Sequence, residues 1–101
     1  MNMNVTKKLE DRKLTVLVEG RLDTLTAPEL ERELAGALEG VESLVFDMEK
    51  LLYISSAGLR VLVSAVKKMN AQGGQMAVIN ANSDVKNIFE ITGLTEILGV
   101  E

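Results

Sequence analysis

The chain has 101 residues, a net charge of −4, 47% apolar and 26% charged side chains, and only 3% aromatic ones. That is the balance of one soluble globular domain, residues 1–101, long enough to bury about two-thirds of its unfolded surface. With no cysteine there are no disulfides and no thiolate chemistry, and with no histidine the commonest general base and metal ligand are missing. The acidic balance and the scarcity of aromatic side chains argue against nucleic acid and anionic membranes as partners. No stretch reads as a signal peptide or a membrane span, so the expectation is a cytoplasmic protein without direct membrane insertion.

Met3, Val5 and, less regularly, Leu9 alternate with Asn4, Thr6 and Lys8, as in a half-buried edge strand. Asp11-Arg12-Lys13 is a polar turn, and Leu14 to Val18 reads as a second strand paired with the first, ended by Gly20. After the loop Asp23–Thr26, Thr26 as N-cap, Pro28 in the first turn and Glu29 as the residue three on predict a helix start. Leu30, Leu34, Ala37 and Leu38 mark its buried face and Gly40 its end. Glu42 to Asp47 is apolar enough for a central strand covered on both faces. A loop then leads to a second helix that opens on Ser55 and Ser56. Leu59, Leu62, Val63, Val66 and Met69 line one face of it, and it ends near Gly73-Gly74. Gln75 to Ile79 is the fourth strand. Ser83-Asp84 caps a third helix with Val85, Ile88, Phe89 and, at the margin, Ile91 inward, and Glu96 to Val100 is a short last strand. The order ββαβαβαβ implies βαβ crossovers. The fold class is therefore α/β, a mixed and mostly parallel sheet with an N-terminal antiparallel hairpin and helices packed against it.

Ser55-Ser56-Ala57-Gly58 is, in its ordinary sense, a helix cap, because a serine there accepts a bond from a free N–H of the first turn. Gly58 leaves out a side chain where another surface could approach the backbone. The functional sense is a hydroxyl that is modified or presented. A phosphate there meets unpaired N–H groups and the positive end of the helix dipole, while changing what a partner sees. Asp23 is either a local turn former or a group that orients a partner or a phosphate-bearing loop. Asp47 lies at a C-terminal strand end, where open α/β sheets place their sites, and is either part of such a site or a local acceptor of hydrogen bonds from the loop that follows it. Arg60, Ser64, Lys67 and Lys68 form either a wet helix face or a basic rim that meets an acidic partner. Catalysis finds no material: there is no histidine, no Gly-x-Ser-x-Gly elbow, neither nucleotide-binding glycine motif and no tight carboxylate cluster. The expectation is a protein that is not an enzyme and holds no cofactor and no metal.

Tyr53-Ile54-Ser55-Ser56-Ala57-Gly58-Leu59-Arg60-Val61-Leu62 resembles the phosphorylation loop and following helix of STAS domains, in particular the stand-alone bacterial anti-sigma factor antagonists. Gly20-Arg21-Leu22-Asp23, Val45-Phe46-Asp47-Met48, Gly73-Gly74-Gln75-Met76 and Val85 through Leu94 carry the resemblance along essentially the whole chain. The family often reads Asp-Ser-Ser/Thr-Gly at this loop. Matching Gly58 to that glycine puts Ser56 on the phosphorylated serine, Ser55 on the aspartate and Ala57 on the second hydroxyl position. Ser56 is thus the first choice of acceptor and Ser55 the second.

The resemblance implies a contact surface of Asp23, Thr24, Ser55, Ser56, Ala57, Gly58, Leu59 and Arg60. It also implies two enzyme partners, an anti-sigma factor serine kinase and a PP2C-type phosphatase. The unphosphorylated form would bind the kinase and free the sigma factor, and phosphorylation would abolish binding. The alternatives are a constitutive STAS accessory subunit of a membrane transporter and a small-ligand sensor domain with Ser56 and Asp23 near the ligand. No long apolar stripe is left after the core is assigned, so a monomer is expected.

Overall fold

Asp11, at a φ of 56°, turns the first hairpin in the left-handed region that aspartate enters more readily than most residues. It folds β1 (Met3–Glu10) back on β2 (Lys13–Leu22), with antiparallel partners running from Glu10↔Lys13 to Met3↔Gly20. The computed structural model describes residues 3–101. Two further strands extend the sheet in parallel, β3 (Ser43–Asp47) beside β2 and β5 (Gln75–Ile79) beside β3, so that Val16, Phe46 and Val78 stand in one row. A short strand β4 (Leu51–Ile54) pairs in parallel with the far end of β2, through Gly20, Arg21 and Leu22. The helices of the described residues are α1 (Ala27–Leu34), α2 (Ser56–Ala71) and α3 (Ser83–Ile91).

The α/β class, the antiparallel opening, the parallel remainder and the intervening helices are those expected from the sequence. Several segments differ in detail. The loop before α2 contains β4. The last strand contracts to a single parallel bridge, Val78↔Val100, while Leu98 is fully buried beside it. α1 stops at Leu34 because Ala35 takes an extended ψ of 121°. Turns through residue 40 then carry Leu38 into the core, and the Gln72 side-chain amide fixes them by donating to the Leu38 and Val41 carbonyls at 2.7 and 2.9 Å. α3 is capped by Asn82, one residue before the expected serine.

β3 is packed on one face only. Leu44 and Phe46 are fully buried, whereas Ser43, Val45 and Asp47 are half-buried, which is the alternation of a sheet with one covered side. Leu14, Val16 and Val18 of β2 and Val78 of β5 share the covered side. Leu30 and Leu34 of α1 join the same core with Leu59, Val61, Leu62, Ala65, Val66 and Met69 of α2. Val61 and Ala65 widen the buried stripe of α2 beyond the expected residues because α1 packs against its flank. Each large apolar side chain fully removed from water contributes about 1.5–3 kcal/mol, so this shared face holds α2 firmly in place.

Candidate functional site

β2 and β4 end side by side, and their pairing sets where α2 begins. Leu22 opposes Ile54, and the Ser55 N–H donates to the Leu22 carbonyl at 2.9 Å. Ser55 then leaves the strand at φ −104°, ψ 176° and caps the helix. Its carbonyl accepts from the Leu59 N–H at 2.9 Å, and its hydroxyl accepts from the Gly58 N–H at 3.5 Å, a long and weak contact. Ser55 is half-buried, Ser56 is the exposed first residue of α2, and Ala57 is half-buried beside it.

Gly58 and Leu59 face inward. A Cβ on Gly58 would lie 2.6 Å from Leu22 Cγ and 3.0 Å from Ile54 Cγ1. The surface that approaches this backbone closely is therefore the protein's own β2 and β4. Leu59 is 8% exposed and belongs to the core.

The loop after β2 is built by Asp23 as a turn former. Its Oδ1 accepts from the N–H groups of Leu25 and Thr26 at 3.0 and 3.1 Å. The Thr26 N–H, with help from the Leu25 N–H and the Arg21 guanidinium, holds the Asp23 carboxyl below the usual carboxylate range. Thr26 occupies the N-cap position of α1 but makes no side-chain cap. Its buried hydroxyl instead accepts from the Asp23 N–H at 2.8 Å and donates to the Arg21 carbonyl at 2.7 Å. The expected pairing of Thr26 with Glu29 is thus replaced by a bond that ties the loop to the end of β2. Asp47 follows its local reading, accepting from the Glu49 N–H at 3.1 Å and the Asn80 side-chain amide at 3.2 Å.

Two surface hollows flank the head of α2. A groove of about 410 Å³ between α1 and α2 is lined by Thr24, Pro28 and Glu31 on one wall and Ala57, Arg60 and Lys67 on the other. The second hollow holds Asp23 with Gly20, Arg21, Leu25 and Leu52. Of the predicted site residues, Thr24, Ala57 and Arg60 therefore share one groove and Asp23 lies in the adjoining hollow. Sequence reasoning passed over Leu25 and Leu52, which are 83% and 70% exposed, and Tyr53, whose ring lies 4.4 Å beneath the Arg21 guanidinium. The middle residues of Leu51-Leu52-Tyr53-Ile54 both point outward, and four residues are too few for alternation to reveal it.

Ser56 thus stands exposed at the helix N-terminus, next to Ala57 of the groove that Arg60, Lys67 and Glu31 also line. Comparison with known proteins fits that picture. The anti-sigma-B factor antagonist of Staphylococcus aureus (strain NCTC 8325 / PS 47) is 31% identical over 101 residues, covering 99% of this chain and 94% of its own. That of Bacillus subtilis (strain 168) is 31% identical over 100 residues, covering 99% and 92%. The structure of the anti-sigma factor antagonist SpoIIAA in its unphosphorylated form superposes with a TM-score of 0.86 at 17% identity, over 97% of this chain and 86% of that one. The phosphorylated form of SpoIIAA superposes at 0.77 and 16% identity, over 97% and 89%. The family model of the STAS domain matches residues 2–101. The chain belongs to the STAS domain family, which it shares with the anti-sigma-B factor antagonists of these two bacteria.

Proposed function

We propose that the chain is an anti-sigma factor antagonist switched by phosphorylation of Ser56. In its unmodified form it binds an anti-sigma factor that is also a serine kinase, and the sigma factor is released. The kinase then moves the γ-phosphoryl group of ATP to the Ser56 hydroxyl oxygen, ADP leaves, and the hydroxyl proton passes to the kinase. A metal-dependent PP2C-type phosphatase hydrolyses the ester, returning the hydroxyl and inorganic phosphate. The protein acts in the cytoplasm as a monomer. No helix of the described residues is long and apolar enough to cross a membrane.

The observation that carries this reading is the unequal placement of the two serines. Ser55 is half-buried and engaged as the cap, whereas Ser56 is exposed at the first position of a 16-residue helix. First-turn N–H groups have no carbonyl within the helix, and the dipole favours negative charge there, so the fold tolerates the phosphate. A partner seated on Thr24, Ala57 and Arg60, with Asp23 and Ser55 at its margin, meets roughly two new negative charges and three strong acceptor oxygens at its centre. Gly58 and Leu59 serve this surface from beneath, by fixing the start of α2. The names of the two bacterial relatives support the same function.

The test is a reaction of the protein with the anti-sigma factor kinase of the same genome, ATP and Mg²⁺, followed by intact mass and peptide mapping. One added phosphate on Ser56, absent from Ser56→Ala, is the expected result. Phosphate on Ser55 moves the site, and no phosphate on either serine contradicts the switch.

A further inference from the structure

α2 carries three cations, Arg60, Lys67 and Lys68, and no acidic residue, on a chain whose net charge is −4. The ion pairs found among the described residues are Lys7–Glu33, Lys8–Glu10, Arg12–Glu42 and Arg21–Asp23, so none involves α2. Arg60 is exposed and lines the groove beside Ala57. It stands four residues after Ser56, which is exposed at the first position of the same helix. Side chains at i and i+4 lie on one helix face, and the Cα–Cβ bonds of a helix tilt toward its N-terminus. A long side chain at position 60 therefore sweeps back over position 56. The guanidinium presents a planar fork of donors that matches two phosphate oxygens.

We infer that Arg60 binds the phosphate of phosphorylated Ser56 within the same chain, one helical turn away. The inference rests on the reading of Ser56 as the acceptor and assigns a regulatory consequence to it. Modification then changes the docking surface twice. It adds a dianion, and it withdraws from the groove the arginine that an acidic partner group would otherwise meet. Lys67 sits two turns further on, out of reach of the phosphate.

The experiment uses the full chain with phosphoserine encoded at position 56, so it does not depend on the kinase. The second ionisation of the phosphate is followed by ³¹P NMR in four proteins: unaltered, Arg60→Gln, Arg60→Lys and Lys67→Gln. A phosphoserine ordinarily titrates near pH 6. The helix dipole acts on all four alike, so differences among them report side chains alone. The expected result is a midpoint lower by about 0.3 or more in the unaltered protein than in Arg60→Gln, with Arg60→Lys between them. Lys67→Gln should match the unaltered protein, and the gap should narrow in 1 M salt. Equal midpoints for the unaltered protein and Arg60→Gln would overturn the inference, and so would an equal shift in Lys67→Gln. Either outcome leaves the Ser56 switch standing. Phosphate on Ser55 in the kinase reaction would instead remove the reading beneath it, and peptide mapping reveals that separately. Far-UV circular dichroism of the four proteins confirms that α2 is intact in each.

Discussion

Ser55 and Ser56 are adjacent and chemically identical, and the fold gives them different tasks. The strand ladder continues through the Ser55 N–H, so its backbone belongs to the sheet and its hydroxyl to the helix cap. Ser56 is the first residue free of both duties and is exposed. Gly58 completes the device, because only a residue without a side chain lets the first turn of α2 rest on Leu22 and Ile54. In an open helix interior, replacing glycine by alanine stabilises a protein by about 1 kcal/mol. Here the added methyl meets Leu22 Cγ at 2.6 Å, and overpacking of a filled site typically costs about 1–3 kcal/mol. Gly58→Ala is therefore expected to destabilise the protein by up to about 2 kcal/mol net in urea unfolding. Stabilisation would show that the first turn is free to move off the strands. The two serines were legible as the start of a capped helix. The partner of Gly58 was not, because Leu22 is distant in sequence and enters only through the pairing of β2 with β4.

Periodicity made the helices legible, since one buried stripe follows directly from spacing. It located α2 and α3 within a residue or two and named most of their core. The same spacing overextended α1. Leu38 is buried as expected, but turns rather than helix carry it there, and a count of apolar intervals does not distinguish the two routes. β4 escaped notice because it has four residues and buries only its ends. That small strand nevertheless anchors both neighbouring helix starts. Its pairing with β2 positions Ser55, and its Leu51 carbonyl accepts from the Asn82 amide at 3.1 Å, while Asn82 Oδ1 caps α3 by accepting from the Val85 N–H at 2.8 Å. Loss of a helix cap costs about 0.5–2 kcal/mol, and an additional neutral hydrogen bond is worth about 1 kcal/mol. Asn82→Ala removes a short cap and a tie to β4, whereas Ser55→Ala removes one long contact. Thermal unfolding should place Asn82→Ala below Ser55→Ala, by about 1 kcal/mol. The reverse order would mean that the α2 cap is stronger than its 3.5 Å geometry implies.

Across the whole molecule, one face of the sheet and the buried stripes of α1 and α2 form a continuous core, and the site stands where β2, β4 and both helices converge. The site is thus displayed by rigid elements rather than by a loose loop, so a charge placed on Ser56 acts on a surface that cannot readily move away from it. The two hollows and the exposed Leu25 and Leu52 became visible only once the fold had brought separate segments together. The proposed switch requires that phosphate on Ser56 break the complex with the anti-sigma factor. Isothermal titration calorimetry of that partner against the unmodified protein and against the form with phosphoserine encoded at position 56 measures it most directly. A penalty of several kcal/mol is expected where the phosphate faces acidic or apolar partner groups, which weakens binding by about a hundredfold or more at 1.4 kcal/mol per tenfold. Equal affinity of the two forms would contradict the account.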